Sequence, residues 1–312
     1  TGDYLRFMTF MAAHGLTPST VWAAVKQLAS ERLGGKRWRR LFIMDRLRLD
    51  LFESVYRRLN PHFSTFFLNS TAHLQHLHWR NMDPEPFAVK PTAEDQEEYE
   101  SAILTGYQQM DQVLGRLLRL VGDDATVIFC TALSQQPCLV YEAQGGKTFY
   151  RPRSYERLLG FAGVMNAPVV SPVMSEQFHV SFQNERDATL GRERLAALQV
   201  DGAAVFDVQQ RGCDLLTGCK VFRDLPPESQ ITNDHGGTAP FFEILYQVDG
   251  KKSGMHHPDG VLWVRSPRQR LGRRAGSASL TSIAPTILRC FGQRQPLTMR
   301  GEALPLSATQ PR

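Results

Sequence analysis

The sequence predicts an α/β protein with a mostly parallel central sheet flanked by helices and a small α+β insertion. Three observations lead there. The apolar run FSTFFL, bounded by Pro61 and by the polar turn residues Asn69, Ser70 and Thr71, follows a long helical stretch. A second short run, TVIFC, follows a long amphipathic stretch, and a third, VLWVR, precedes a closing helix. Strands alternating with helical stretches of this length are the pattern of strand–helix–strand units. The expected division is a helical start and first part of the core over 1–170, the insertion over 171–226, the remainder of the core over 227–293 and a loose tail over 294–312.

Taken in order, residues 3–14 and 18–32 read as two helices separated at Gly15, with Thr17-Pro18 supplying a cap and a first-turn proline. A basic amphipathic helix follows from about residue 36 to 59, its buried side supplied by Leu41, Ile43, Leu47, Leu51 and Val55. The stretch 63–68 reads as a buried strand, with the imidazoles His73, His76 and His78 and then Trp79 on the loop beyond it. Ile103, Leu104, Tyr107, Met110, Val113, Leu114, Leu117 and Leu118 mark the long helix before TVIFC. In the insertion, FHVSFQ and GAAVFDVQQ read as strands around a helix over 185–198. Residues 241–248 and 260–264 read as strands, and 279–290 as the closing helix.

Composition sets bounds. At 312 residues with 42% hydrophobic and 21% charged content, the chain can bury a sizeable core and is not disordered. No apolar run approaches the roughly 20 residues a membrane span requires. The opening TGDYLRFMTFMAAHGLTP carries Asp3 and Arg6 before a short apolar patch and does not read as a signal peptide. Five cysteines, with no Cys-x-x-Cys spacing, point to reduced thiols and a cytoplasmic setting, although Cys213 and Cys219 could approach across a turn. Residues 36–58 hold eight basic against three acidic side chains, an excess equal to the whole net charge of +5. The sharp reading is a nucleic-acid surface; the preferred one is the solvated face of a helix, so no nucleic-acid partner is expected.

Two histidine clusters could carry chemistry. Zinc and similar ions take imidazole and carboxylate ligands gathered from several loops at one end of a sheet. His76 in the first cluster and His256, in the loop KSGMHHPDG, lie beside expected strands as such a site requires. Ser134 and Thr131, after TVIFC, are read as loop-capping hydroxyls rather than nucleophiles. Asp111 is read as a surface carboxylate and Trp79 as a half-buried aromatic.

At these residues the chain resembles the alkaline phosphatase superfamily, and within it the type I phosphodiesterase/nucleotide pyrophosphatase branch. The resemblance rests on PHFSTFFLNSTAHLQHLHWR, similar to the family's Asp-x-x-x-His segment, and on YQQMDQVLGRLL leading into TVIFC. It rests further on GMHHPDGVLWV, similar to the late histidine loop, and on SLTSIAPTILRCFG, similar to the family's final helix. It implies an alkaline-phosphatase-like fold and a metal-dependent hydrolase using a divalent metal, zinc or manganese, on a small anionic phosphoester. Carried over by position, His76 and His256 are metal ligands; their neighbours His73 and His257 are expected as substrate contacts. Ala72 stands where the family has its aspartate, and TALSQQP replaces the Asp-His-Gly expected after TVIFC. Asp234 and His235, in Asn233-Asp234-His235-Gly236, spell that motif and are candidate further ligands, but they follow PPESQIT rather than an apolar strand. The family's early aspartate and its nucleophile have no counterpart here. The alternative expectation is a catalytically degenerate member that binds an anionic ligand or a protein partner.

Overall fold

The first two helices, α1 (Gly2–Ala13) and α2 (Pro18–Arg32), are separated at Gly15, whose φ of 109° only glycine adopts readily. Thr17 caps α2, its Oγ1 accepting from Thr20 N at 3.3 Å. After a 3-10 turn at Arg37–Arg39 comes α3 (Arg40–Leu59), which ends at Asn60 in the left-handed region. Asp50, buried on α3, accepts from Thr17 N (2.9 Å) and Thr17 Oγ1 (2.8 Å) and so ties the cap of α2 to the next helix. The structure is a computed structural model that describes residues 2–144, 146–166, 169–248, 250–267 and 276–305.

Residues 63–69 form no regular element, and α4 (Ser70–Met82) follows, kinked at His78. Next come α5 (Ala93–Tyr99) and α6 (Ala102–Val121). Arg116 of α6 reaches both Asp50 (2.8 Å) and Glu53 (2.9 Å), so α2, α3 and α6 share one polar junction. The chain then alternates short strands and helices: β1 (Val127–Cys130), β2 (Ser134–Pro137), β3 (Tyr150–Pro152), α7 (Tyr155–Ala162), β4 (Val169–Pro172), β5 (Gln177–Ser181) and α8 (Glu185–Ala196). It continues with β6 (Gln199–Val200), β7 (Ala203–Ala204), β8 (Phe206–Arg211), β9 (Asp214–Cys219), β10 (Gln230–Thr232), β11 (Thr238–Pro240), α9 (Phe241–Ile244) and β12 (Leu245–Gln247). The last elements are β13 (Gly254–His257), β14 (Leu262–Arg265) and α10 (Ile283–Cys290).

Contacts group the chain into two units. The first takes Thr1–Gln75, Glu97–Gln136 and Met255–Arg312; the second takes His76–Gln96 and Pro137–Gly254. The stretch 171–226, expected as an insertion, lies wholly within the second. In the first unit β1 pairs with β14, with Phe129 opposite Trp263, and α3 packs on α2 and α6. Its buried side chains include Phe42, Leu49, Leu74 and Ile103. In the second unit one sheet runs β4-β5-β9-β8, another β11-β10-β6-β7, and β12 pairs with β3. Its continuous core is centred on Tyr150, Leu158, Phe178, Leu195, Phe206 and Phe241.

The parallel central sheet is not there. The described residues form sheets of two and four strands, and every pairing with a described register is antiparallel. The alkaline-phosphatase-like α/β architecture is therefore overturned. The cause is turn chemistry. Asp201 and Gly202 both hold positive φ, 50° and 73°, as a two-residue hairpin turn between β6 and β7 requires. Gly212 (φ 57°) opens an equally short turn from β8 to β9, and strands joined this tightly can only run antiparallel. The run GAAVFDVQQ, expected as one strand, is divided into β7 and β8. The expected strand 241–248 begins as helix α9 and becomes β12 only at Leu245.

The segment after Gly292 is tied down as far as it is described. Gln295 Nε2 donates to the carbonyls of Met299 and Gly301, both at 2.7 Å, and Leu304 N donates to Thr286 Oγ1 at 2.8 Å. The rest of the expected loose tail, 306–312, lies outside the described residues.

Candidate functional site

The histidine stretch is helical. Expected as a strand followed by a loop, it is a segment without regular structure followed by α4. His73 is exposed in the first unit, and crowding by surrounding atoms still lowers its pKa below the usual imidazole value. His76, in the second unit, donates from Nδ1 to the Gly254 carbonyl at 2.9 Å, which fixes its tautomer. The same backbone explains the kink at His78. Ser253 N donates to the His76 carbonyl (2.8 Å), and Ser253 Oγ accepts from Arg80 N (3.1 Å) while donating to Leu77 O (2.8 Å). Ser253 thus takes both partners of a helical hydrogen bond, and a side chain inserted into that ladder bends a helix. Just beyond, Arg80 pairs with Glu142 and lies over the Phe87 ring at 4.9 Å. These side chains are 10% and 11% exposed, so the pair anchors the end of α4 rather than facing a ligand.

The late histidines lie in the first unit, on β13. His256 is exposed, and its carbonyl accepts from Gln136 Nε2 at 3.0 Å. His257 Nδ1 accepts from Asp259 N at 3.1 Å and closes the turn after the strand. As neighbours on a strand, the two imidazoles leave opposite faces.

Asn233-Asp234-His235-Gly236 is the turn between β10 and β11. Asn233 Oδ1 accepts from His235 N (3.0 Å) and Gly237 N (2.7 Å), and its Nδ2 donates to Phe161 O (2.8 Å). Asp234 is bound by Arg194 at 2.6 Å, and His235 Nδ1 lies 3.3 Å from the same guanidinium. A cation already holds these two candidate ligands.

Among the described residues no group of three or more His, Cys, Asp or Glu side chains is arranged to hold a metal ion. Asp234 and His235 are engaged by Arg194. The basic helix is likewise engaged. Arg40 pairs with Glu31, Arg48 with Asp45 and Arg57 with Glu53, and Lys36 donates to the Glu97 carbonyl. The Arg40 guanidinium holds Glu31 at about 2. Burial raises the pKa of Asp45, against the pull of Ser70 and Arg48. All five cysteines are free, and burial pushes Cys219 up to about 12, which makes it inert.

The feature that sequence reading missed is at the start of the first unit. On α1, Tyr4 and Leu5 are 79% and 71% exposed, and Phe7, Met8 and Phe10 are between 43% and 47%; Met11 is the one buried residue of that helix. On α2, Trp22 is 68% exposed and is flanked by Val21, Val25 and Leu28. Trp22, Val21 and Val25 join Ala12, Leu16 and Pro18 around an open hollow of about 460 Å³. The signal was in the sequence: α1 carries more large apolar residues than one buried stripe can use.

In comparisons with known proteins, no family model, curated protein or solved structure matches this chain. No described helix is long and apolar enough to cross a membrane.

Proposed function

We propose that this chain is a binding protein that docks a protein partner through the apolar sides of α1 and α2. The observation that carries it is the exposed apolar array of Tyr4, Leu5, Phe7 and Met8 on α1, together with the hollow that Ala12 of α1 lines with Trp22 and Val25 of α2. Exposed apolar surface marks interaction sites, and tryptophan is enriched among the residues that dominate binding energy. A hollow lined by valine, leucine, proline and tryptophan, with no charged side chain in it, suits an apolar anchor on a partner helix.

Photo-crosslinking tests it. Val25→p-benzoylphenylalanine in cells is expected to trap one defined protein, and Trp22→Glu in the same chain to abolish the adduct. An adduct pattern identical to that from the exposed Lys26 position would overturn the proposal. So would hydrolysis of bis-p-nitrophenyl phosphate, dependent on zinc or manganese and abolished by His76→Ala or His256→Ala. That outcome is what the phosphoesterase resemblance implies.

A further inference from the structure

In the second unit, Lys147 and Lys252 stand opposite each other in an isolated antiparallel bridge, with Lys252 N donating to Lys147 O at 3.1 Å. Directly opposed residues send their side chains to the same face, and like charges placed that way repel. The surroundings provide for one ammonium and not for two. Lys147 Nζ lies 3.6 Å from Glu176 and over three rings: Phe222 at 3.9 Å, Phe149 at 4.7 Å and Tyr141 at 5.5 Å. The neighbouring Lys251 takes Asp224 at 2.7 Å. Among the described residues Lys252 has no ion pair, and it is half-buried.

We propose that Lys252 is a nucleophilic amine that condenses with small uncharged or anionic aldehydes. A lysine that is desolvated beside a second cation is a recurrent way to keep an amine unprotonated and reactive at neutral pH. Burial lowers the pKa of Lys252 most and the Lys147 charge lowers it further, while the buried Cys138 and Glu176 act in the opposite direction; the net shift is downward. In the reaction, the nitrogen lone pair forms a bond to the carbonyl carbon. The two amine hydrogens leave with the carbonyl oxygen as water, and a carbon–nitrogen double bond remains. A cationic aldehyde would meet the Lys147 ammonium, which restricts the substrate class.

The test is labelling of the whole chain with glyoxylate and cyanoborohydride, followed by peptide mapping of the N-carboxymethyl lysines. At pH 7 Lys252 is expected to label several-fold faster than Lys26 or Lys90, and its rate to persist to lower pH than theirs. Lys147→Met, with circular dichroism to verify folding, is expected to slow labelling at Lys252 alone. The proposal is overturned if Lys252 labels no faster than the exposed lysines across the pH range. It is also overturned if folded Lys147→Met leaves the Lys252 rate unchanged. Should that variant not fold, the pH profile of the unaltered chain decides.

Discussion

The two units spend their apolar residues differently. The second encloses Tyr150, Phe178, Phe206 and Phe241 in one core between its short strands and the helices α7 and α8. The first buries Leu49 and Ile103 but leaves Tyr4, Phe10, Trp22, Phe63 and Phe67 at the surface. The second unit gathers its aromatics into one enclosed core, while Val140, Met165 and Met174 stay exposed around it. The first relies more on polar junctions, with Asp50 and Arg116 at the centre of its helices, and keeps an apolar face available. Burial of apolar side chains is a stabilising resource, and leaving it unused on two helices is the mark of a surface with another role.

The contrast can be broken most forcefully in the second unit. Phe178→Ala, which empties a fully buried site, is expected to cost about 3–5 kcal/mol in urea unfolding; a loss under about 1 kcal/mol would show that the core is not what holds that unit. In the first unit the largest effect is expected at Asp50, where Asp50→Ala strips the Thr17 cap and one Arg116 partner, for roughly 2–4 kcal/mol. Burial raises the Asp50 pKa, but hydrogen bonds from Thr20, Arg116 and Thr17 outweigh it and leave it lowered. A depressed carboxylate stabilises the fold above its unfolded pKa and loses that contribution as pH falls through the folded value. The unaltered chain should therefore lose stability below about pH 4, and Asp50→Asn should start lower and lose less over the same acid range. The smallest effect on stability belongs to the open face. Trp22→Glu is expected to stay within about 0.5 kcal/mol of the parent while removing partner capture; a large destabilisation would mean that the face is packed rather than free.

Helices were the most legible part of the chain. The 3.6-residue spacing placed α2, α3 and α8 to within a few residues, because that period depends on local sequence alone, whereas the long helix expected to open at Glu94 is divided into α5 and α6. Strand direction did not follow from the same reasoning. TVIFC reads as a strand whatever its neighbour, and the antiparallel pairing of Val127 with Arg265 is set by residues far along the chain. The segment 63–68 has the composition of a strand but is assigned no strand pairing, and it stays irregular and largely exposed. At α4 the imidazoles drew attention to a loop, while the spacing of Ser70, Thr71, Leu74 and Gln75, all buried, describes one face of a helix. Asn233–Gly236, which spells a ligand motif in sequence, lies in the turn between β10 and β11. The opposition of Lys147 and Lys252 had no local signal.

The pairing of β1 with β14 also constrains the order in which the chain can assemble. Joining Val127 to Arg265 closes a loop that contains most of the second unit, and the entropy cost of closure grows with loop length. The hairpins β6–β7 and β8–β9 close over two residues each. Collapse of the intervening chain shortens the effective loop, so β1 gains its partner late. Pulsed hydrogen exchange should show amides of β8 and β9 protected before those of β1, and simultaneous protection would refute this order.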